Sequence, residues 1–261
     1  MDINMRYILT VIVLLFVFVG NGFAQPVNLN PDSIDSFVMD PATFNEEDNS
    51  NSVWELAPFG RKDPTIYRSA KKENGDPIIE ASSKQSISSV KVELNANPEI
   101  FPIIEWEWMV QSVLESGDVT EKDGDDYAAR IYITFDYPVS DLGFGDRIKY
   151  RFYTTFTSFD VPTRALNYVW ANKAKVGSIH SNPYTDWVQV VAVQSGNEKA
   201  GTWQSEKRNI LEDYRAAFGE EPPAITGIQI MTDSDNTGES AEAAYGKIIL
   251  KKRSSSSGMN D

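Results

Sequence analysis

The chain has 261 residues with 24 Lys and Arg against 38 Asp and Glu, a formal charge of −14, no cysteine and a single histidine. Such a field repels nucleic acid and anionic lipid surfaces. The missing residue types exclude disulfides, thiolate metal sites, cysteine nucleophiles and multi-histidine centres.

At the N-terminus Arg6 precedes an apolar run over residues 7–19, and Gly22-Phe23-Ala24 closes it with small residues around a variable one. That is the pattern of a cleaved export signal, 1–24, because the run is shorter than the roughly 20 residues a spanning helix needs. The expected location is the periplasm or the outside of a bacterial cell, with no membrane insertion after cleavage. Only Asp2 and Arg6 leave with the signal, so the charge of −14 stays on the mature chain.

Residues 25–51 are rich in Asn, Asp, Pro and Glu and predict a partly ordered lead-in. Short runs of strand length then follow, separated by turn residues, at 78–82, 86–94, 103–110, 127–135, 166–172, 187–194, 202–208, 225–232 and 243–250. Nine such runs without repeated strand-helix units predict one all-β, mainly antiparallel domain over 52–252, a jelly-roll-like sandwich with one or two short helices at its edge. The Ser-rich end, 253–261, predicts a flexible tail. One helix is marked over 209–218: Asn209 can cap it, Leu211, Tyr214 and Phe218 share a face, and Gly219 with Pro222-Pro223 stops it. The stretch 147–159 fits two periods. Ile148, Tyr150 and Phe152 alternate as in a strand, while Ile148, Phe152 and Phe156 would stack on a helix.

Several phrases carry a family resemblance: Gly124-Asp125-Asp126-Tyr127-Ala128-Ala129-Arg130, Tyr168-Val169-Trp170-Ala171-Asn172, Asn182-Pro183-Tyr184-Thr185-Asp186 and Met231-Thr232-Asp233-Ser234-Asp235-Asn236-Thr237-Gly238-Glu239. With Asp213-Tyr214-Arg215 and Phe218-Gly219-Glu220-Glu221-Pro222-Pro223, the sequence resembles the bacterial domain-of-unknown-function family 3047 over residues 53–251. The resemblance implies an exported bacterial protein and brings no activity, substrate or catalytic residue with it.

Four groups of residues could carry chemistry. Alternating oxygen-bearing residues before a Gly turn, Asp233 to Glu239, begin like a calcium loop. Thr237 and Ala244, however, stand at the fifth and twelfth positions, where that loop needs an acceptor and a bidentate Glu. A looser Ca²⁺ site on Asp233, Asp235 and Glu239 is one reading, and a tight Asx-type turn is the other. The acidic loop 122–126 offers the same choice between a cation or sugar site and a solvated turn. By the two-residue period, Arg130, Tyr132 and Thr134 share one face, and Tyr168, Trp170 and Asn172 share another. Rings interleaved with guanidinium and amide could stack on and hydrogen-bond to a glycan, or simply pack a core. Glu105 and Glu107 lie on one strand face, with Cβ atoms roughly 6.5–7 Å apart, as glycoside hydrolysis could use or as any solvated strand face would show. His180 with Tyr184 could abstract a proton in a polysaccharide lyase, although a lone surface histidine is the plainer reading.

The sequence thus favours an exported, non-catalytic sandwich that binds a carbohydrate or an envelope component, with Ca²⁺ as its one candidate cofactor. A glycan-cleaving hydrolase or lyase is the first rival, and a structural partner of another envelope protein the second.

Overall fold

A computed structural model describes residues 25–47, 52–156 and 161–253. The expected export signal at 1–24 and the expected tail from Ser254 onward lie outside them. Fourteen strands are described: β1 Val27–Asn28, β2 Ser36–Met39, β3 Glu55–Pro58, β4 Ile66–Lys71, β5 Pro77–Lys84, β6 Ile87–Ala96, β7 Ile103–Val110, β8 Arg130–Phe135, β9 Ala165–Ala171, β10 Ile179–Asn182, β11 Thr185–Ser195, β12 Gln204–Asn209, β13 Ile225–Asp233 and β14 Ser240–Lys251. The helices are α1 Phe144–Phe156 and α2 Ile210–Phe218. Among the described residues no helix is long and apolar enough to cross a membrane.

The strands form two sheets. The larger runs β1-β6-β13-β8-β9-β11-β10, with β3 also on β6; the smaller runs β12-β7-β14-β5-β4, with β2 also on β14. All pairings are antiparallel except β1 with β6 and β9 with β11. The fold is the expected jelly-roll-like sandwich. All nine strand-length runs form strands, because alternation of apolar and polar residues needs only the pleat to become one buried face. In β7 that alternation is complete, with Ile104, Trp106, Trp108 and Val110 buried and the residues between them half-exposed.

The core lies between the sheets and is aromatic. Trp106 stacks on Tyr168 at 5.4 Å between ring centroids, and Trp108 meets Trp170 at 5.9 Å. Within residues 25–47, Leu29, Met39 and Phe44 are buried, and Asp40 caps the turn Pro41–Thr43 through the amide of Ala42. Asn209 caps α2 through the amide of Glu212, and Gly219 ends the helix in the left-handed region at φ 72°, a conformation that glycine adopts without steric cost.

The ambiguous stretch is helical as far as residue 156, and 157–159 lie outside the described residues. Tyr150 and Tyr153, three residues apart, both set their rings edge-on to Trp187, a contact that helical spacing allows and strand alternation does not. Phe144, Ile148 and Phe152 lie on the other side of α1 and are exposed, so tertiary contacts on the tyrosine side, not the apolar stripe, seat this helix on the larger sheet.

Candidate functional site

Strand register decides which side chains share a face. Ile131 pairs with Tyr168 and Ile133 with Leu166, whereas Arg130 pairs with Val169 and Tyr132 with Asn167. Paired residues point to the same side of a sheet. Tyr168 and Trp170 therefore project into the core with Ile131, and Arg130 and Tyr132 project to the opposite, outer face. A glycan face that joins Tyr168 and Trp170 to Arg130 and Tyr132 is therefore not formed. Tyr168 is 0% exposed and gives its hydroxyl to Asp213 at 2.8 Å, and Trp170 donates its indole N–H to the Gly196 carbonyl at 3.0 Å. Asn172, just beyond β9, donates to the carbonyls of Glu115 and Gly117 and ties down that loop.

The outer face of β8 and β13 carries a cavity of about 290 Å³. Its floor is Arg130, Tyr132, Gln229 and Met231, which the register of β8 and β13 sets side by side. Asn182, Tyr184 and Trp187 of the β10–β11 hairpin form one wall, and Tyr153 of α1 with Val161 and Pro162 forms a second. Phe59 and Lys62 close the rim.

Asp125, Asp233 and Asp235 also line it, and Asp126 lies next to Asp233 and Asp235. The two acidic loops that are separate in sequence converge here. Gly124 lets one of them in, since a Cβ at that position would lie 2.7 Å from the Asp118 amide nitrogen. Asp125 and Asp126 are then 7% and 2% exposed, so these two acids of the loop are buried while Lys122 and Asp123 stay exposed. Asp126 Oδ2 accepts from the amides of Asn236 and Thr237 and from the Thr237 hydroxyl, at 2.9, 2.7 and 2.9 Å, holding the 233–239 turn from outside.

Arg130 is buried at the centre of this group. It pairs with Asp233 and lies between the rings of Tyr127 and Tyr132, at 5.2 and 5.3 Å from their centroids. The surrounding carboxylates hold its guanidinium protonated. Burial pushes the Asp125 carboxyl above the usual carboxylate range, with Arg130 and the Asn182 amide opposing. Burial acts on Asp233 in the same direction, and its acidic neighbours Asp126, Asp125 and Asp235 add to it. Asp125 Oδ2 accepts from Asn182 at 2.8 Å, and Lys62 pairs with Asp235. Several buried polar atoms here have no hydrogen-bond partner: the donors Arg130 Nε, Arg130 Nη1 and Trp187 Nε1, and the acceptors Asp125 Oδ1, Asp126 Oδ1 and Asp235 Oδ1.

Glu239 is not part of the group. Its two oxygens accept from the amides of Ser116 and Glu115, both at 2.9 Å, so the cation set Asp233, Asp235 and Glu239 loses its third member and Asp126 stands in that place. Tyr184 does reach the pocket, but as a wall. Its hydroxyl donates to the Lys122 carbonyl at 3.1 Å and accepts from Asn236 at 3.3 Å. His180 contacts Ser178 at 2.9 Å and is not among the pocket residues. Glu105 and Glu107 belong to the smaller sheet. Lys251 and Lys207 neutralise Glu105 and hold it below the usual range, while Glu107 binds Lys72 at 2.7 Å. The sequence reading passed over Asn182 and Trp187 as site residues; the only signal was their place in and beside the phrase Asn182 to Asp186.

The sequence pattern of the family described as protein of unknown function (DUF3047) matches residues 52–249. The chain belongs to that family. No curated protein matches it by sequence. Solved structures similar to this DUF3047 chain include the glycoside hydrolase domain of Endo-D from Streptococcus pneumoniae R6, at 8% identity and TM-score 0.33 over 77% of this chain and 22% of that one. The family 11 carbohydrate-binding module from Clostridium thermocellum, solved with a β-1,3-1,4-mixed-linked tetrasaccharide, has 9% identity and TM-score 0.37 over 84% and 97%. Winged bean acidic lectin with methyl-α-D-galactose has 8% identity and TM-score 0.36 over 84% and 98%.

Proposed function

We propose that this protein is an exported, non-catalytic binding protein that takes a carbohydrate or another hydroxyl-rich envelope component into the pocket on the outer face of the larger sheet. One observation carries the reading: Arg130, Trp187, Asp125 and Asp235, which hold buried donor or acceptor atoms without a hydrogen-bond partner, all line the same aromatic-walled cavity. A buried polar atom without a partner costs about 1–3 kcal/mol, and a hydroxyl, which donates and accepts, can relieve both kinds. A carboxylate ligand would suit Arg130 but meet Asp125, Asp233 and Asp235. An apolar one would leave every polar atom unsatisfied. The half-buried rings of Tyr132 and Tyr184 supply flat surfaces for the C–H faces of a sugar. The cavity is at the lower end of ligand pockets, which run to about 300–1,000 Å³, and suits a short saccharide or the end of a longer one.

A second reading draws on Asp125. Burial raises its pKa, the direction in which a general acid for glycoside cleavage is tuned. Screening the mature chain and its Tyr184→Ala variant against an immobilised glycan panel, with reducing ends measured on any glycan that binds, tests both. The binding reading expects retention of at least one glycan class, loss of it in the variant and no new reducing ends. New reducing ends would replace it with the hydrolase, and a panel without any retention would remove the glycan.

A further inference from the structure

We propose that Asp126, Asp233 and Asp235 form a binding site for a divalent cation, Ca²⁺ by the chemistry of its ligands, at the edge of the pocket. One oxygen from each lies within 4.8 Å of the others. Oxygens around a single Ca²⁺ at 2.3–2.6 Å are at most about 5 Å apart, so the spacing of the three is compatible with a shared ion. Each can still ligate. Asp126 Oδ1 and Asp235 Oδ1 have no hydrogen-bond partner, and each Asp233 oxygen has a second lone pair beyond its bond to the Tyr127 amide or to Arg130.

A fourth carboxylate, outside the three, points to the same ion. Asp125 keeps Oδ2 on Asn182 and turns Oδ1, buried and without a hydrogen-bond partner, toward the Arg130–Asp233 pair, with Arg130 Nη1 3.9 Å away. Four carboxylates thus face two cations, Arg130 and Lys62. Taking that excess out of water is unfavourable unless further positive charge or protons enter. Lys62 is half-exposed and reaches Asp235 from the rim. It therefore competes with an ion for Asp235, whereas Arg130 is fixed beneath.

Neither the pocket's ligand nor a glycan enters this inference, and its test needs none. Melting of the full mature chain is followed in chelator and across a series of CaCl₂ and MgCl₂ concentrations at neutral pH. The melting temperature is expected to rise with the logarithm of excess Ca²⁺ over its dissociation constant. Asp235→Asn should weaken binding by roughly tenfold or more, because one unit charge a few ångströms away is worth over one decade in affinity at protein surfaces. Lys62→Gln should tighten it, since the competitor is gone while the carboxylates remain. Lys62 lies at the rim and Asn keeps the shape of the buried Asp235 side chain, so folding of the variants is expected, and the chelated proteins report it directly. Equal melting in chelator and millimolar Ca²⁺ for both the unmodified chain and Lys62→Gln would overturn the proposal. So would a shift that Asp235→Asn leaves unchanged, which would place the ion elsewhere.

Discussion

The two faces of the larger sheet are built from the same kinds of residue and end in opposite states. On the inner face Tyr168 and Trp170 pack against Trp106 and Trp108, and their polar tips are bonded to Asp213 and Gly196. On the outer face Arg130, Trp187, Asp125 and Asp235 surround a cavity and keep polar atoms unbonded. Trp106 Nε1 is an exception on the core side. The contrast teaches that aromatic content does not mark a binding face. Leftover hydrogen-bonding capacity beside open volume does.

The largest effect expected from this contrast lies on the inner face. Trp170→Ala should cost about 3–5 kcal/mol in urea unfolding, the usual loss for truncating a buried aromatic. A loss below about 1 kcal/mol would mean that the sheets do not close over it.

Glu105 on the smaller sheet gives a smaller effect with a definite pH dependence. Lys251 and Lys207 hold its folded-state pKa below the ordinary value. Its contribution is therefore fully present above the ordinary carboxylate range and is lost as pH falls through the depressed pKa. Since the pair is near the surface, Glu105→Gln should cost less than about 1 kcal/mol at neutral pH, and its stability should converge with that of the unmodified chain in acid. A cost that persists in acid would assign Glu105 a packing role instead.

Asp125→Asn carries the smallest stability effect and sharpens the comparison most. Burial raises the Asp125 pKa, so the fold resists the charge there, and a neutral side chain of the same shape should leave stability at neutral pH unchanged or slightly higher in the presence of chelator. A loss comparable to that of Trp170→Ala would make the outer face structural.

What the sequence disclosed and what it withheld divide along physical lines. The buried runs of β7, β8, β9 and β13 were legible because pleat and burial leave their period in the chain. The cap at Asn209 and the stop at Gly219 were legible because both are local. The short strands β1, β2, β3, β4 and β10 were not, since strands of two to six residues depend on neighbours for their pairing. Register was the costly gap. Period alone shows that Tyr168 and Trp170 share a side of β9, but only the pairing with Ile131 shows that this side opposes the one bearing Arg130. The acids Asp125 and Asp126 looked solvated because charge density in a loop usually is. Their burial follows from the close approach at Gly124 and from contacts more than a hundred residues away, at Asn236 and Thr237.

The central claim, that the outer pocket is the binding face, is tested most directly by the indole N–H resonances of the six tryptophans in ¹H–¹⁵N spectra, recorded while a glycan retained on the panel is titrated in. Trp187, whose unpartnered N–H lies in the pocket wall, is predicted to move furthest, with Trp106, Trp108 and Trp170 unmoved in the core. Saturable binding that shifts Trp203 or the core tryptophans and leaves Trp187 in place would contradict the claim.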